Sequence, residues 1–345
     1  MFIDYLIVLK RLGHEVVAII KYDAPYADHI SQLGISVKKI KNSFGYYDFF
    51  AIKEIQNLLL EFDADVVMSH IGRSISLSRR AAGKIKSKKI FTIAVNHSMN
   101  VKRSIGADFI FSVNKKIFYR TVDLGQDKSG TFAIPNAVDL PETISSVRQI
   151  NLRQQDVVTI GVMGRIDETK GFQYAIKAIK NLEKISPKKF ILKLAGTGIY
   201  QEVLRKLVKE LKLENKIEFI GWVSDKKSFF ESIDIFCSTS SEETFGLVLL
   251  EAMKYHKPII ATDTDGTKEV LRDGIDGIVI KVAPRVDTDK RLTQAILEMV
   301  KNTDLTNKIV ENANFRLYTK FSYHSLEKLM REVFGKVDLK KLLIV

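Results

Sequence analysis

Short apolar runs of strand length alternate with stretches of helical period along most of the chain, and this alternation restricts the fold more than anything else. In the first third the pattern predicts strands at Glu15 to Ile20, Ile35 to Ile40, Val66 to Ser69, Lys89 to Val95, Phe109 to Val113 and Phe132 to Ile134. The clearest helices between them are Phe49 to Phe62 and Ser74 to Ile85. Strands and helices alternating at these lengths build parallel sheets with helices on both faces, so the expected class is α/β, doubly wound. At 345 residues the chain exceeds one such unit and fits two, and 46% hydrophobic residues are ample for two cores.

The formal net charge of +13 favours anionic partners: nucleotide sugars, acidic membrane surfaces or nucleic acid. Basic residues are spread through the helices rather than gathered in one arm, and neither zinc-ligand spacing nor an RNA-binding aromatic motif occurs, which argues against nucleic acid. The single cysteine, Cys237, sits in an apolar strand and points to a reducing, cytoplasmic setting. No apolar run approaches the ~20 residues that span a bilayer, and Asp4 and Lys10 interrupt the first one. Neither a signal peptide nor a membrane helix is expected.

The front of the chain breaks the pattern. A doubly wound domain begins with a strand and a glycine loop, yet this chain opens in a helix, Phe2 to Leu12, that ends at Gly13, where His14 serves the turn. Without a strand between them, Glu15 to Ile20 and Val66 to Ser69 would lie ~10 Å apart, two strand spacings, leaving a slot of unpaired backbone. Residues 340–345, ending Leu342, Leu343, Ile344 and Val345, have the composition of the missing strand. Two readings follow: the tail enters the slot in parallel, as in a circular permutation, or it is a frayed end of a truncated chain. The expected domains are 1–140, a linker at 141–155, a second domain at 156–320, and a helix and tail at 321–345 returning to the first domain.

The second half carries the most specific patterns. Strand Val157 to Met163 runs into Gly164, Arg165 and, five residues later, Lys170 and Gly171. Two cations on a strand-to-helix loop suit a diphosphate, Arg as a fork and Lys as a point charge, although such a loop is also an ordinary solvated turn. Strand Phe190 to Ala195 ends in Gly196, Thr197 and Gly198, a tight turn but no dinucleotide fingerprint, because Gln201 stands where a third glycine would be. Strands follow at Lys216 to Ile220, which leads to Gly221 and Trp222, and at Ile233 to Ser238. Between Ser241 and Glu269, seven residues separate Glu243 from Glu251, and Thr244, Phe245 and Gly246 lead into an apolar helix from Leu247 to Met253. The free N–H groups at the head of that helix, around Phe245 to Val248, and its positive dipole end make a seat for phosphate bracketed by two carboxylates. A capped core helix would read the same way. Ligands bind beyond the carboxyl ends of parallel strands, so these loops are expected to meet in one crevice.

Together the Gly164–Arg165 and Lys170–Gly171 pairs, the Phe245–Gly246 element inside Glu-x7-Glu, and the Ile134 to Leu140 segment IPNAVDL resemble the family 4 retaining glycosyltransferases. The chain departs from that family at Thr244, where glycine is usual, and at Ala137. The resemblance implies two Rossmann-like domains facing across a cleft, the GT-B fold. The piece missing at the front would be the family's central strand and Gly-Gly loop.

The resemblance further implies transfer of a hexose from a UDP- or GDP-linked sugar to a glycan or lipid-linked acceptor in cell-envelope polysaccharide or lipopolysaccharide synthesis. By that carry-over Arg165 and Lys170 hold the diphosphate with the backbone at Phe245, Gly246, Leu247 and Val248. Gly164, Gly196 and Thr197 line the site, Glu243 meets sugar hydroxyls and Glu251 the ribose. His97 matches a histidine that approaches the donor sugar, and His70 is the competing candidate. No metal or other cofactor is expected; Asp263 and Asp265 have Asp-x-Asp spacing but read as loop residues. The basic surface would assist peripheral docking at the inner face of the membrane. The alternatives are a sugar-nucleotide-binding protein impaired by loss of the glycine loop, and a nucleic-acid-binding protein.

Overall fold

The computed structural model describes residues 1–41, 44–141, 149–282, 287–335 and 341–345. Residues 142–148 of the expected linker and 336–340 of the expected tail lie outside them.

The described chain runs α1 (Phe2–Arg11), β1 (Glu15–Lys21), α2 (Ala27–Gln32), β2 (Ser36–Ile40), α3 (Phe49–Glu61), β3 (Val66–Ser69), α4 (Gly72–Lys84), β4 (Phe91–Asn96), β5 (Phe109–Ser112), α5 (Lys115–Asp123) and β6 (Thr131–Ala133). It continues through β7 (Val157–Met163), α6 (Phe172–Ile185), β8 (Lys189–Ala195), α7 (Gln201–Glu210), β9 (Ile217–Gly221), α8 (Lys226–Glu231), β10 (Ile235–Ser238), α9 (Leu247–Lys254), β11 (Ile259–Thr262), α10 (Asp265–Val270), β12 (Ile278–Ile280), α11 (Thr288–Lys301) and α12 (Thr303–Lys320). Last come α13 (Tyr323–Phe334) and β13 (Lys341–Ile344). Two units form: Met1–Asp139 with Phe321–Val345, and Leu140–Lys320.

The first unit is a sheet in the order β2-β1-β13-β3-β4-β5-β6 with every pairing parallel. The tail strand β13 lies between β1 and β3, with Leu342 opposite both Val16 and Val66. Side chains alternate along it: Leu342 and Ile344 enter the core under α1 and α13, while Leu343 enters the one under α3 and α4. All three are fully buried, worth ~1.5–3 kcal/mol each before the entropy of ordering. The Asp65 carboxylate accepts the Lys341 N–H at 2.9 Å, which fixes the strand's entry. Three helices here start at side-chain caps: Asp48 accepts from Ala51 N–H, Asn114 from Ile117 and Ser322 from Ser325.

The second unit is a parallel sheet in the order β12-β11-β10-β7-β8-β9. Its core brings Val158, Ile160, Val162, Leu192, Leu194 and Ile235 of the sheet against Phe172, Ile176 and Ile179 of α6. Of the stretch read as a linker, residues 149–155 pack on this unit: Leu152 is buried in its core and Ile150 N–H donates to Asn307 at 2.8 Å. Asp265 is the first residue of α10 rather than a loop residue, because the Thr264 hydroxyl accepts the Thr267 N–H and starts a helix there. Among the described residues no helix is long and apolar enough to cross a membrane.

Candidate functional site

In the second unit the loops that leave the carboxyl ends of β7, β8 and β10 are tied to one another. After β7 the Asp167 carboxylate accepts the Lys170 N–H at 3.2 Å and closes a short 3-10 turn, Glu168–Lys170. Arg165, exposed, donates its Nε–H to Asp167 at 2.7 Å. Burial opposes ionisation of Asp167, but hydrogen bonds from Thr169 and Arg165 outweigh it and hold the carboxyl below its usual range. The loop after β10 is stitched to this one by Ser241 N–H to Thr169 O at 2.7 Å and by the Thr239 hydroxyl to Lys170 O at 3.0 Å. The result is an ion pair between Lys170 Nζ and Glu243 Oε2 at 2.7 Å, with side chains only 23% and 20% exposed.

Gly196 brings the β8 loop against the β7 loop. Its φ is +132°, and a Cβ there would lie 1.8 Å from the Gly164 carbonyl oxygen, so no other residue fits. Thr197 is exposed, and its carbonyl accepts the Ile166 N–H at 2.9 Å. At the head of α9, Gly246 adopts the left-handed conformation (φ +84°), which turns the chain from Glu243 and buried Phe245 into the helix. Leu247 and Val248 open α9, so their N–H groups have no acceptor within the helix. Gly266 of α10 donates its N–H to the Glu243 carbonyl at 2.8 Å and so supports the loop from behind.

Glu251 sits on the second turn of α9, where its carboxylate pairs with Lys226 Nζ of α8 at 2.6 Å. Exposed Trp222 and Ile199 follow Gly221 and Gly196 in the chain, and those two glycines share a backbone hydrogen bond of 2.7 Å. Thus Gly164, Arg165, Lys170, Gly196, Thr197, Glu243 and the Phe245 to Val248 backbone gather around the strand ends of this unit, with Glu251 one turn into the helix. Sequence reasoning missed Asp167, Lys226 and Gly266. Lys226 and Gly266 act through partners that only the tertiary fold supplies, Glu251 and the Glu243 carbonyl, whereas Asp167 closes its own turn through Arg165, Thr169 and Lys170.

His97 follows β4 in the first unit and His70 follows β3. The two rings stack 5.4 Å apart at 18°, with His70 Nδ1 and His97 Nε2 at 3.2 Å. The two candidates weighed against each other are therefore neighbours. Burial lowers the His97 pKa to about 4, helped by the nearby amino terminus. Burial, then His97, keep His70 well below the usual histidine value. Both rings are neutral at pH 7, and one N–H is shared between them. The Tyr5 and Phe2 rings stand nearly perpendicular to His70, with centroids 4.8 and 5.5 Å from its own. Among the described residues no three His, Cys, Asp or Glu side chains gather as a metal site, and Asp263 pairs with Lys268 at 2.8 Å.

The sequence model of the family described as glycosyl transferases group 1 matches residues 144–316, half of the chain. This chain belongs to that family. The match covers the β7, β8 and β10 loops of this group 1 glycosyltransferase together with α9. A lipopolysaccharide core biosynthesis glycosyltransferase of Rhizobium meliloti, LpsE, is 28% identical over 171 residues, 50% of this chain and 48% of that protein. The chain thus spans about half that relative's length. An uncharacterized glycosyltransferase of Haemophilus influenzae is 28% identical over 296 residues, 84% of this chain and 78% of its own length. Among solved structures, HepE of Anabaena in complex with UDP and glucose has a TM-score of 0.77 at 19% identity, covering 97% of this chain and 96% of that one. A glycosyltransferase from Rickettsia africae has a TM-score of 0.79 at 21% identity over 97% and 93% of the two chains. At such identities the likeness speaks for the fold, and with the two parallel-sheet units described above it gives the two-domain GT-B class.

Proposed function

We propose that this group 1 glycosyltransferase is a retaining, family 4-type enzyme that moves a hexose from a UDP- or GDP-linked sugar to a glycan or lipid-linked acceptor of the cell envelope. The observation that carries the reading is the Lys170–Glu243 pair at 2.7 Å, held where the β7 and β10 loops are stitched together before the head of α9. A donor diphosphate would take the place of Glu243 as partner of Lys170, joined by Arg165 and the N–H groups of Leu247 and Val248. The displaced Glu243 carboxylate is then free to accept sugar hydroxyls. Glu251 would accept from the ribose, with Trp222 and Ile199 flanking the base.

As the bond from the anomeric carbon to the phosphate oxygen breaks, the leaving diphosphate gains charge, which two cations and a helix head stabilise without a metal. The acceptor oxygen bonds to the same face of that carbon, and its proton passes to the departing phosphate oxygen. By the family resemblance His97, neutral at pH 7, is the residue proposed to meet the donor sugar. The envelope assignment draws support from LpsE, whose name places it in lipopolysaccharide core synthesis.

The test is a panel of nucleotide sugars. Stabilisation by one donor, release of its nucleoside diphosphate with acceptor, and a product whose anomeric proton coupling matches the donor's would support the proposal. Donor binding with no turnover over any acceptor would favour a sugar-nucleotide-binding protein, and inverted product would refute retention.

A further inference from the structure

A second surface, in the first unit, is built from an aromatic segment laid along one stripe of α4. Phe44, Tyr47, Phe49 and Phe50 are 71%, 71%, 62% and 74% exposed. Scattered exposed apolar residues are ordinary, but four large rings within seven consecutive positions are a patch. Cations interleave with it. Arg80 lies over the Tyr47 ring at 4.3 Å, Lys84 over Phe49 at 4.7 Å and Arg103 over Tyr46 at 3.5 Å. Arg73 stands 5.9 Å from Tyr46. Arg73, Arg80 and Lys84 share one stripe of α4 at spacings of seven and four residues, and Ser76 on the same stripe donates to the Tyr46 carbonyl at 3.4 Å. Beside the patch a groove of ≈ 890 Å³ is lined by Tyr46, Arg80, Lys102 and Arg103. Its acid, Asp108, is held by Lys89 at 2.7 Å. Asp48 is buried capping α3, Glu54 a turn further along is exposed, and exposed Asp63 pairs with Lys88 of the groove at 2.6 Å.

We infer that this face docks on an anionic membrane surface. Rings that expose their faces and edges next to guanidinium and ammonium groups suit the boundary where acyl chains meet phosphate headgroups, with the aromatics inserting and the cations pairing with phosphate. The groove would take a headgroup beyond the inserted rings. The charge complementarity selects an acidic lipid surface over a neutral one. This inference concerns residues outside the proposed donor site, so it stands or falls separately from the transfer reaction.

The experiment is co-sedimentation of the full chain with vesicles of phosphatidylcholine alone and of phosphatidylcholine and phosphatidylglycerol in equal parts. Binding is expected only to the mixed vesicles and is expected to weaken at high salt. The triple variant Arg73→Gln, Arg80→Gln, Lys84→Gln should lower the partition more than about a hundredfold, as ~1 kcal/mol per cation implies. The variant Phe44→Ser, Phe49→Ser, Phe50→Ser should lower it at least about tenfold. Circular dichroism melts confirm that both variants fold, since every substituted side chain is exposed. Absence of binding to mixed vesicles, or binding equal in both variants and the parent, would overturn the inference. So would a parent dimer that the aromatic variant converts to monomer, because the patch would then cover a second copy.

Discussion

At the scale of single residues the argument rests on a few charged side chains. Lys170→Ala removes the point charge proposed for the diphosphate and strands the Glu243 carboxylate, only 20% exposed, without its 2.7 Å partner. Turnover should fall by roughly 10²–10³ or more, with donor affinity reduced in titration calorimetry; wild-type affinity would exclude the residue. Glu243→Ala should abolish turnover, and unchanged activity would remove it from the site. The histidine pair gives a pH signature. In the unfolded chain His97 protonates below its ordinary value of 6.5, while in the folded chain it stays neutral to about 4. The unfolded state therefore binds more protons as pH falls, and stability is full above about pH 6.5 and lost towards pH 4, by about 3 kcal/mol. Thermal melts should show a smaller loss from pH 7 to 4.5 for His97→Gln than for the parent, and equal losses would contradict the burial. The loops that carry Arg165, Lys170 and Glu243 were legible in the sequence because each follows an apolar strand. Lys226, paired with Glu251 across 25 positions, was not, since long-range ion pairs leave no local periodicity.

At the scale of elements, β13 shows how far backbone accounting reaches. The strand was legible because two parallel strands with an empty place between them would leave backbone groups unpaired, and one apolar segment remained to fill it. Which core each side chain would enter was not legible, because register depends on Asp65 holding the Lys341 N–H. Leu343→Ala should cost 2–5 kcal/mol in denaturant unfolding of the first unit, and a change under ~0.5 kcal/mol would mean that the strand contributes little there. Three helices end one residue short of the expected position, as at α3, which stops at Glu61 rather than Phe62, while α9 runs one residue past Met253 to Lys254. Fraying and capping, rather than hydrophobic period, set those ends. Gly246→Ala should damage both fold and binding, because the left-handed turn places the helix head and an added Cβ would meet the Leu249 side chain at 2.9 Å. Loss of donor stabilisation in a thermal shift assay checks it.

At the scale of the whole molecule, the alternation of strands and helices fixed the class, and two parallel sheets of seven and six strands realise it. The net charge of +13 alone could not separate a nucleotide from a membrane from nucleic acid. The fold distributes that charge between a loop cluster holding Arg165 and Lys170 in one unit and an aromatic-lined stripe in the other. Composition cannot express that division, because it depends on which helix face is left uncovered. The central claim is that the stitched strand-end loops of the second unit receive an activated sugar through its diphosphate. Release of nucleoside diphosphate from a panel of nucleotide sugars, measured side by side for the parent chain and Lys170→Ala, tests it most directly. The account predicts release from one donor by the parent and almost none by the variant; equal release by both would contradict it.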